Sequence, residues 1–217
     1  MTATLSSFER LFATARRAHD AWACLPVAER CARLQRAADA ILARQDEIVR
    51  LLGEENGKAP VEALGHEVGG AVNAIRHAAR VAPLLFAPQR LSVPVLAHRR
   101  LSIERVPFGV VLIISPWNFP FSIPLGQVAA ALAAGNAVIL KPSEFSPRVG
   151  ALVGEVFSAC GLPTGLLEVV QGDGSTGAAL IAAHPDRVAF TGSVTTGRKV
   201  MAACARFPIP VGLELGG

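Results

Sequence analysis

Residues 109–144 read GVVLIISPWNFPFSIPLGQVAAALAAGNAVILKPSE, and they contain two continuous apolar runs separated by one helix-like segment. The runs GVVLII at 109–114 and AVIL at 137–140 have strand length, and neither alternates with polar residues. Continuous apolar strands are typical of a parallel sheet that is covered on both faces. The stretch therefore predicts a strand, a covering helix at about 121–134, and a second strand parallel to the first.

The same alternation continues to the end of the chain. Apolar runs and helix-like segments follow each other, with strands predicted at 166–170, 187–191 and 209–215 and helices at about 147–160, 175–183 and 195–206. Crossovers between parallel strands are right-handed, so the pattern predicts an α/β fold with a doubly wound sheet. Ligands of such sheets bind beyond the carboxyl ends of the strands, so the residues that follow each strand are the site candidates.

The first half of the chain has a different pattern. Residues 1–90 read as helices, one beginning at Pro26 and running through Leu52, and another beginning at Pro60. The second is predicted to turn one apolar face inward, made of Val61, Leu64, Val68, Val72, Ile75 and Ala79. Residues 91–106, LSVPVLAHRRLSIERV, predict a projecting β-hairpin with Pro94 in an edge strand. The expected parts are thus 1–90, 91–106 and 107–217.

Composition excludes several classes of protein. The 217 residues are 51% hydrophobic, yet no apolar run reaches the roughly 18 residues that span a bilayer, and the N-terminus has no secretory pattern. The net charge of +4 comes from basic residues interleaved with acids, which does not suit a nucleic acid partner. These features predict a soluble, cytoplasmic protein. No metal site is expected, because no CxxC pair or ligand spacing occurs among Cys24, Cys31, Cys160 and Cys204.

Polar and glycine residues follow each predicted strand, as a binding crevice requires. The segment after the first strand, 115–121, contains no glycine, so the dinucleotide fingerprint G-x-G-x-x-G is absent there. Residues 192–199 approach the P-loop pattern, but Arg198 replaces the phosphate-binding lysine and no hydroxyl residue follows it, which argues against a nucleotide triphosphatase. Gly192 and Ser193 still open a helix, whose N-terminal N–H groups suit a diphosphate.

Four short motifs indicate which family of nucleotide-binding proteins the sequence resembles. PWNFP (116–120), LKPSE (140–144), FTGS (190–193) and LELGG (213–217) occur in this order after successive strands, and together they resemble the aldehyde dehydrogenase superfamily. The resemblance runs from about Asn56 to the end of the chain. The short N-terminus and the VNAIRHA helix (72–78) are similar to the branch that includes coniferyl-aldehyde and class 3-type enzymes. The family implies a Rossmann-like domain that binds NAD(P) without G-x-G-x-x-G.

The resemblance assigns the cofactor to named residues. It implies that Lys141 and Glu144 hold the adenine ribose, and a carboxylate near the 2′ position favours NAD, with NADP possible. Ser193 and the turn from Gly192 to Gly197 match the diphosphate contact. The remaining residues expected beside the cofactor are Trp117, which could equally be a core residue, Gly174 and Leu215.

Two further residues match catalytic positions of the family. Asn118 matches the side-chain amide that stabilises an oxyanion, although between two prolines it could also only shape a turn. Glu214 matches the general base that activates water to hydrolyse a thioester. Because leucines flank Glu214, we expect burial to raise its pKa toward neutrality.

The chemistry of this family needs a cysteine thiolate that attacks the aldehyde, after which hydride passes to the nicotinamide and the thioester is hydrolysed. The resemblance places that cysteine beyond LELGG, in a catalytic domain. We therefore expect a truncated or split enzyme that is inactive alone. Its partners would be an aldehyde substrate and either copies of itself or a complementing catalytic half. The alternative is a non-catalytic module that binds a nucleotide or a partner protein.

Overall fold

The computed structural model describes residues 2–92, 94–96 and 99–216. Within these ranges the strands are β1 (Gln89–Leu91), β2 (Leu101–Ile103), β3 (Val110–Ile114), β4 (Ala137–Lys141), β5 (Leu167–Val169), β6 (Arg187–Gly192) and β7 (Val211–Leu215). The α-helices are α1 (Thr2–Ala23), α2 (Val27–Ala43), α3 (Gln45–Asn56), α4 (Pro60–Glu62), α5 (Gly69–Leu85), α6 (Ser122–Ala133), α7 (Pro147–Ser158), α8 (Gly174–Ala182) and α9 (Val194–Ala205). A π-helical turn (Ala63–Val68) joins α4 to α5, and a 3₁₀ turn (Pro94–Leu96) lies between β1 and β2.

The main sheet has five parallel strands in the order β5-β4-β3-β6-β7. Strand β3 lies at its centre and β4 beside it, and both are almost wholly buried, which explains why their sequences carry no polar alternation. The predicted doubly wound α/β fold is confirmed. Each predicted strand and helix from residue 109 onward matches an observed element to within a few residues.

The strand order positions the site. The chain runs from β3 through β4 to β5 on one side, and then returns to place β6 on the other side of β3. This reversal separates the loops that leave β3 and β6 at the carboxyl edge of the sheet, where Ile114 pairs with Phe190. Crevices for ligands open at such switch points in α/β sheets.

The predicted helix from Pro26 to Leu52 is interrupted. Arg44 has φ −111° and ends α2, and α3 begins at the next residue. The Arg44 guanidinium bonds Glu47 at 2.7 Å and Glu155 of α7 at 2.8 Å, so the break is held by one local contact and one that is distant in sequence. Gly57, with φ 71°, then ends α3 in the left-handed conformation that glycine adopts without strain.

The predicted inner face of the second helix is wrong at its beginning. Val61 is 80% exposed and Leu64 is 47% exposed, whereas Ala63 and Glu67 are fully buried. The physical reason is the π turn, whose wider hydrogen-bonding step shifts the residues that face inward. After this turn the prediction holds, since Val72, Ile75 and Ala79 are buried.

The two strands of the predicted hairpin pair antiparallel, with Gln89 opposite Ile103. Pro94 lies in the 3₁₀ turn and not in an edge strand, which suits a residue with fixed φ and no N–H to donate. Three residues of the predicted hairpin, Val93, Ala97 and His98, lie outside the described residues. No helix in the described ranges is long and apolar enough to cross a membrane.

Candidate functional site

A crevice of about 800 Å³ opens at the carboxyl edge of the sheet, between the loops that leave β3, β4 and β6. It brings together seven of the ten sequence-predicted site residues, namely Trp117, Asn118, Lys141, Glu144, Gly174, Gly192 and Ser193. The other three, Gly197, Glu214 and Leu215, do not line it. The segments that follow successive strands thus meet at one crevice, and most of the predicted site residues line it.

The loop between β3 and α6 carries Trp117 and Asn118 on its surface. Trp117 is 57% exposed at the crevice, so the alternative of a core tryptophan is wrong. Its carbonyl oxygen accepts a 2.7 Å hydrogen bond from Nδ2 of Asn56. Asn118 is also exposed, and its Oδ1 accepts from the Phe119 N–H at 3.0 Å. The described residues offer its Nδ2 no acceptor, so the amide that shapes the turn keeps its donors available.

Lys141 ends β4 with its side chain buried below the crevice. Its Nζ donates to the Pro142 carbonyl at 3.1 Å and lies 3.3 Å from Oε2 of Glu144. Glu144 is exposed, so the pair presents a carboxylate at the rim above a buried ammonium. Such a pair can both donate to and accept from the hydroxyls of a sugar.

Two helices begin at the crevice with capped N-termini. The Ser193 hydroxyl accepts from the Thr196 N–H at 3.2 Å and starts α9, where the helix dipole favours an anion. Asp173 caps α8 by accepting from the Ser175 N–H at 2.9 Å. Hydrogen bonds from the Ser175 side chain and from the Ser175 and Thr176 backbones lower the pKa of Asp173. Gly174, the first residue of α8, has open space where a side chain would lie.

Glu214 does not occupy the buried place that its sequence predicts. Its side chain is exposed, and so is part of Leu215. Successive side chains of a strand point to opposite faces, so Leu213 and Leu215 lie on one face of β7 while Glu214 lies on the other. The flanking leucines therefore do not enclose the carboxylate. Leu215 instead packs against Gly197 of α9, where a Cβ would overlap its side chain.

Several residues of the crevice were not identified from the sequence. They include Ser143, Phe145, Thr191, Thr196 and Lys199. The sequence could have indicated Thr196 and Lys199. They follow Ser193 at steps of three residues and therefore share one face of α9 with it.

None of the four cysteines lines the crevice. Cys31, Cys160 and Cys204 are buried, and burial raises the pKa of each thiol, that of Cys160 to about 11. Cys24 is exposed but follows α1, next to carbonyl groups held by Arg30. Arg30 also bonds the Ala133 carbonyl at the end of α6, which places Cys24 near the amino edge of the sheet. The described ranges contain no cluster of three His, Cys, Asp or Glu side chains that could hold a metal.

The site and fold agree with comparisons to known proteins. The model of the aldehyde dehydrogenase family matches residues 1–217. The chain belongs to the aldehyde dehydrogenase family. Among its curated relatives in this family are 4,4′-diapolycopene aldehyde oxidase of Methylomonas sp, which is 44% identical over 204 residues, and phenylacetaldehyde dehydrogenase of Pseudomonas fluorescens, which is 40% identical over 203 residues. The matches cover 93% and 91% of this chain but only 38% and 40% of the relatives.

Solved structures show the same arrangement. NAD-dependent aldehyde dehydrogenase from Sinorhizobium meliloti superposes with a TM-score of 0.91 at 38% identity, over 98% of this chain and 43% of that one. Proline utilization A from Bradyrhizobium japonicum superposes with a TM-score of 0.90 at 36% identity, over 98% of this chain and 22% of that one. The 217 residues thus span well under half the length of these relatives.

Proposed function

We propose that this chain provides the NAD(P)-binding part of an aldehyde dehydrogenase, with NAD as the preferred cofactor. The observation that carries the proposal is the crevice at the switch point, which combines a buried ammonium, a rim carboxylate and a helix N-terminus. A dinucleotide presents sugar hydroxyls and a diphosphate, which these groups complement in turn.

The described residues fit such a ligand. The crevice volume of about 800 Å³ lies within the range of small-molecule sites. Lys141 and Glu144 would hold the adenine ribose, and Ser193 with the backbone at Gly192 would hold the diphosphate. Trp117 and Gly174 would lie beside the bound molecule, whereas Gly197 and Leu215 would act by shaping the contact between α9 and β7.

Two residues are proposed to take part in aldehyde oxidation. When bound, NAD(P) accepts a hydride from the substrate carbon. Asn118 would donate its free Nδ2–H to the oxygen that becomes negative when a nucleophile attacks the aldehyde. Glu214 would take a proton from the water that hydrolyses the acyl intermediate, and its exposed position leaves the carboxylate accessible to water.

The attacking thiolate is proposed to come from outside these 217 residues. Three of the four thiols are buried with raised pKa values, and Cys24 lies near the opposite edge of the sheet. The chain alone would then be inactive, and its partners would be an aldehyde, a complementing catalytic segment and other copies of the chain. The coniferyl-aldehyde and class 3-like branch stays a prediction.

Calorimetric titration with NAD and NADP tests the proposal. We expect weak but saturable binding of NAD, and Lys141→Met should raise its Kd by roughly tenfold, since one lost charged contact is worth about 1.4 kcal/mol. Arg198→Met, which removes a cation of α9 that does not line the crevice, is the matched control and should bind like the parent. The proposal fails if the folded parent gives no heat at millimolar cofactor.

A further inference from the structure

A fully buried carboxylate lies beneath the loop that carries Trp117 and Asn118. Glu67 has no exposed surface, and its Oε2 accepts from the Ser122 N–H at 2.7 Å and from the Phe121 N–H at 3.3 Å. These two N–H groups belong to the first turn of α6, which has no side-chain cap of its own. Glu67 therefore caps α6 from another helix, where its negative charge also suits the helix dipole.

The other oxygen of Glu67 is paired with a lysine. Nζ of Lys58 lies 2.9 Å from Oε1 of Glu67, and the Lys58 side chain is only 9% exposed. The same ammonium lies 3.6 Å from the centre of the Phe119 ring, which is close enough for a cation–π contact. Lys58 and Glu67 thus contact three residues where the loop that carries Asn118 enters α6, namely Phe119, Phe121 and Ser122.

These contacts bracket Asn118. The Asn56 side chain bonds the carbonyl of Trp117 on one side, and the Lys58 ammonium contacts the Phe119 ring on the other. Both Asn56 and Lys58 stand at the end of α3, next to Gly57. The residues on both sides of Asn118 are thus held by residues about sixty positions earlier in the chain.

A buried ion pair adds little net stability, because the desolvation of the two charges offsets most of their electrostatic attraction. Buried pairs are better explained where they fix one arrangement among several. We propose that Lys58 and Glu67 are positioning residues that fix the loop at 115–121 and thereby aim the Asn118 amide and Trp117 toward the crevice. The consequence for catalysis rests on the proposed function of Asn118.

Fluorescence tests the position of the loop without any cofactor. The chain has two tryptophans, of which Trp22 is fully buried and Trp117 is 57% exposed, so quenching by acrylamide reports mainly on Trp117. Lys58→Met and Glu67→Gln should change the quenching constant and the emission maximum. They should also move the side-chain NH₂ resonance of Asn118, assigned by its loss in Asn118→Asp.

Two further variants separate positioning from stability. Arg30→Met removes another buried cation at the opposite edge of the sheet, so it should lower stability without altering the Trp117 or Asn118 signals. The double variant Lys58→Met with Glu67→Gln leaves no unpaired buried charge and should fold where a single variant does not. Unchanged Trp117 quenching and Asn118 resonance in the folded double variant would overturn the proposal.

Cofactor binding is measured separately on the same variants. If the loop is positioned as proposed, the double variant should bind NAD on the order of tenfold more weakly than the parent, while Arg30→Met should match the parent. Absence of NAD binding by the parent would remove the proposed function, yet the fluorescence and NMR results would still decide whether Lys58 and Glu67 position the loop.

Discussion

Gly197 and Leu215 are in direct contact, because a Cβ added to Gly197 would overlap the Cδ2 atom of Leu215. The contact draws β7 close to the beginning of α9, beside the N-terminus that opens onto the crevice. It also fixes Leu215 on the α9 face of the strand, which leaves Glu214 on the other face.

Gly197→Ala is expected to gain less stability than Gly53→Ala, because the Cδ2 atom of the partly exposed Leu215 must move, and this movement offsets the helical advantage of alanine. Gly53→Ala is the matched control, because its Cβ would have only an ordinary contact, 3.8 Å from the Lys58 carbonyl oxygen. That substitution should stabilise the protein by about 0.5–1 kcal/mol. Urea unfolding of both variants measures the two changes in the free energy of unfolding, and an equal gain from both substitutions would contradict the proposed role of the contact.

Glu144→Gln should shift cofactor preference toward NADP. The Glu144 carboxylate stands at the rim, 3.3 Å from the Lys141 ammonium, where it would repel a 2′-phosphate. Removing one negative charge while keeping a hydrogen-bonding side chain should improve the ratio of NADP to NAD affinity by about tenfold. Titrations with both cofactors measure this ratio. Glu155→Gln, a change to an exposed carboxylate on α7, should leave it unaltered.

The 217-residue chain alone should form no NADH from benzaldehyde, hexanal or cinnamaldehyde. Asn118 can stabilise an oxyanion only after a nucleophile attacks, and none of the four thiols lines the crevice. Where catalytic residues act as a unit, the loss of the nucleophile alone removes most of the rate enhancement. Turnover by the parent chain would refute the proposal that the thiolate comes from outside these residues. Loss of that turnover in Cys24→Ser would then identify Cys24 as an unforeseen nucleophile.

Stability should fall between about pH 9 and pH 11 because of Cys160. Burial raises the pKa of its thiol to about 11 from an ordinary 9.0, so the unfolded chain loses its proton first as pH rises. The stabilisation is complete below the unfolded pKa and is lost through this window, by about 1.4 kcal/mol per pH unit at most. The chain contains no tyrosine that would titrate in the same range.

Thermal unfolding of the parent and of Cys160→Ala across this window isolates the effect. The variant loses packing at every pH, but its midpoint should fall less steeply between pH 9 and pH 11. Parallel pH profiles for the two proteins would show that the Cys160 thiol does not contribute.

Copies of the chain are expected to associate through the hairpin side of the molecule. Apolar side chains are exposed there, among them Leu84 at 72%, Val106 at 77% and Phe108 at 53%. Adjoining apolar patches of this kind promote association. Leu84→Glu with Val106→Glu should increase the monomer fraction in light scattering, whereas Val61→Glu, at an 80% exposed site elsewhere, should not. A parent that is already monomeric would contradict the expectation.

The sheet was predictable because its strands are buried on both faces and their apolar runs are unambiguous. Loops that follow strands in such a fold have only one edge to occupy, so Trp117, Lys141 and Ser193 could be grouped before the structure was known. The helix at 194–205 was likewise marked at its beginning by Gly192 and by the N-cap residue Ser193.

The errors have a common origin in contacts between distant segments. The end of a helix at Arg44 could not be predicted, because its pairing with Glu47 is also compatible with a continuous helix and Glu155 lies 111 residues away. Glu214 was expected to be buried on the basis of its sequence neighbours, although neighbours on a strand face opposite ways. Glu67 was overlooked because an acid in a helix normally faces solvent, and the N–H groups that it caps lie more than fifty residues later.

The π turn at residues 63–68 is equivalent to an α-helix that has accepted one additional residue. The wider turn takes up that residue, so the segments on its two sides keep nearly the relative orientation of an uninterrupted α-helix. If the turn tightened to regular α-helical winding without losing a residue, the segment before it would rotate by about 100° relative to the segment after it. Lys58 lies before the turn and Glu67 lies within it, so a change of winding at the exposed Gly65 would separate them and reach Asn118 without altering any residue near it.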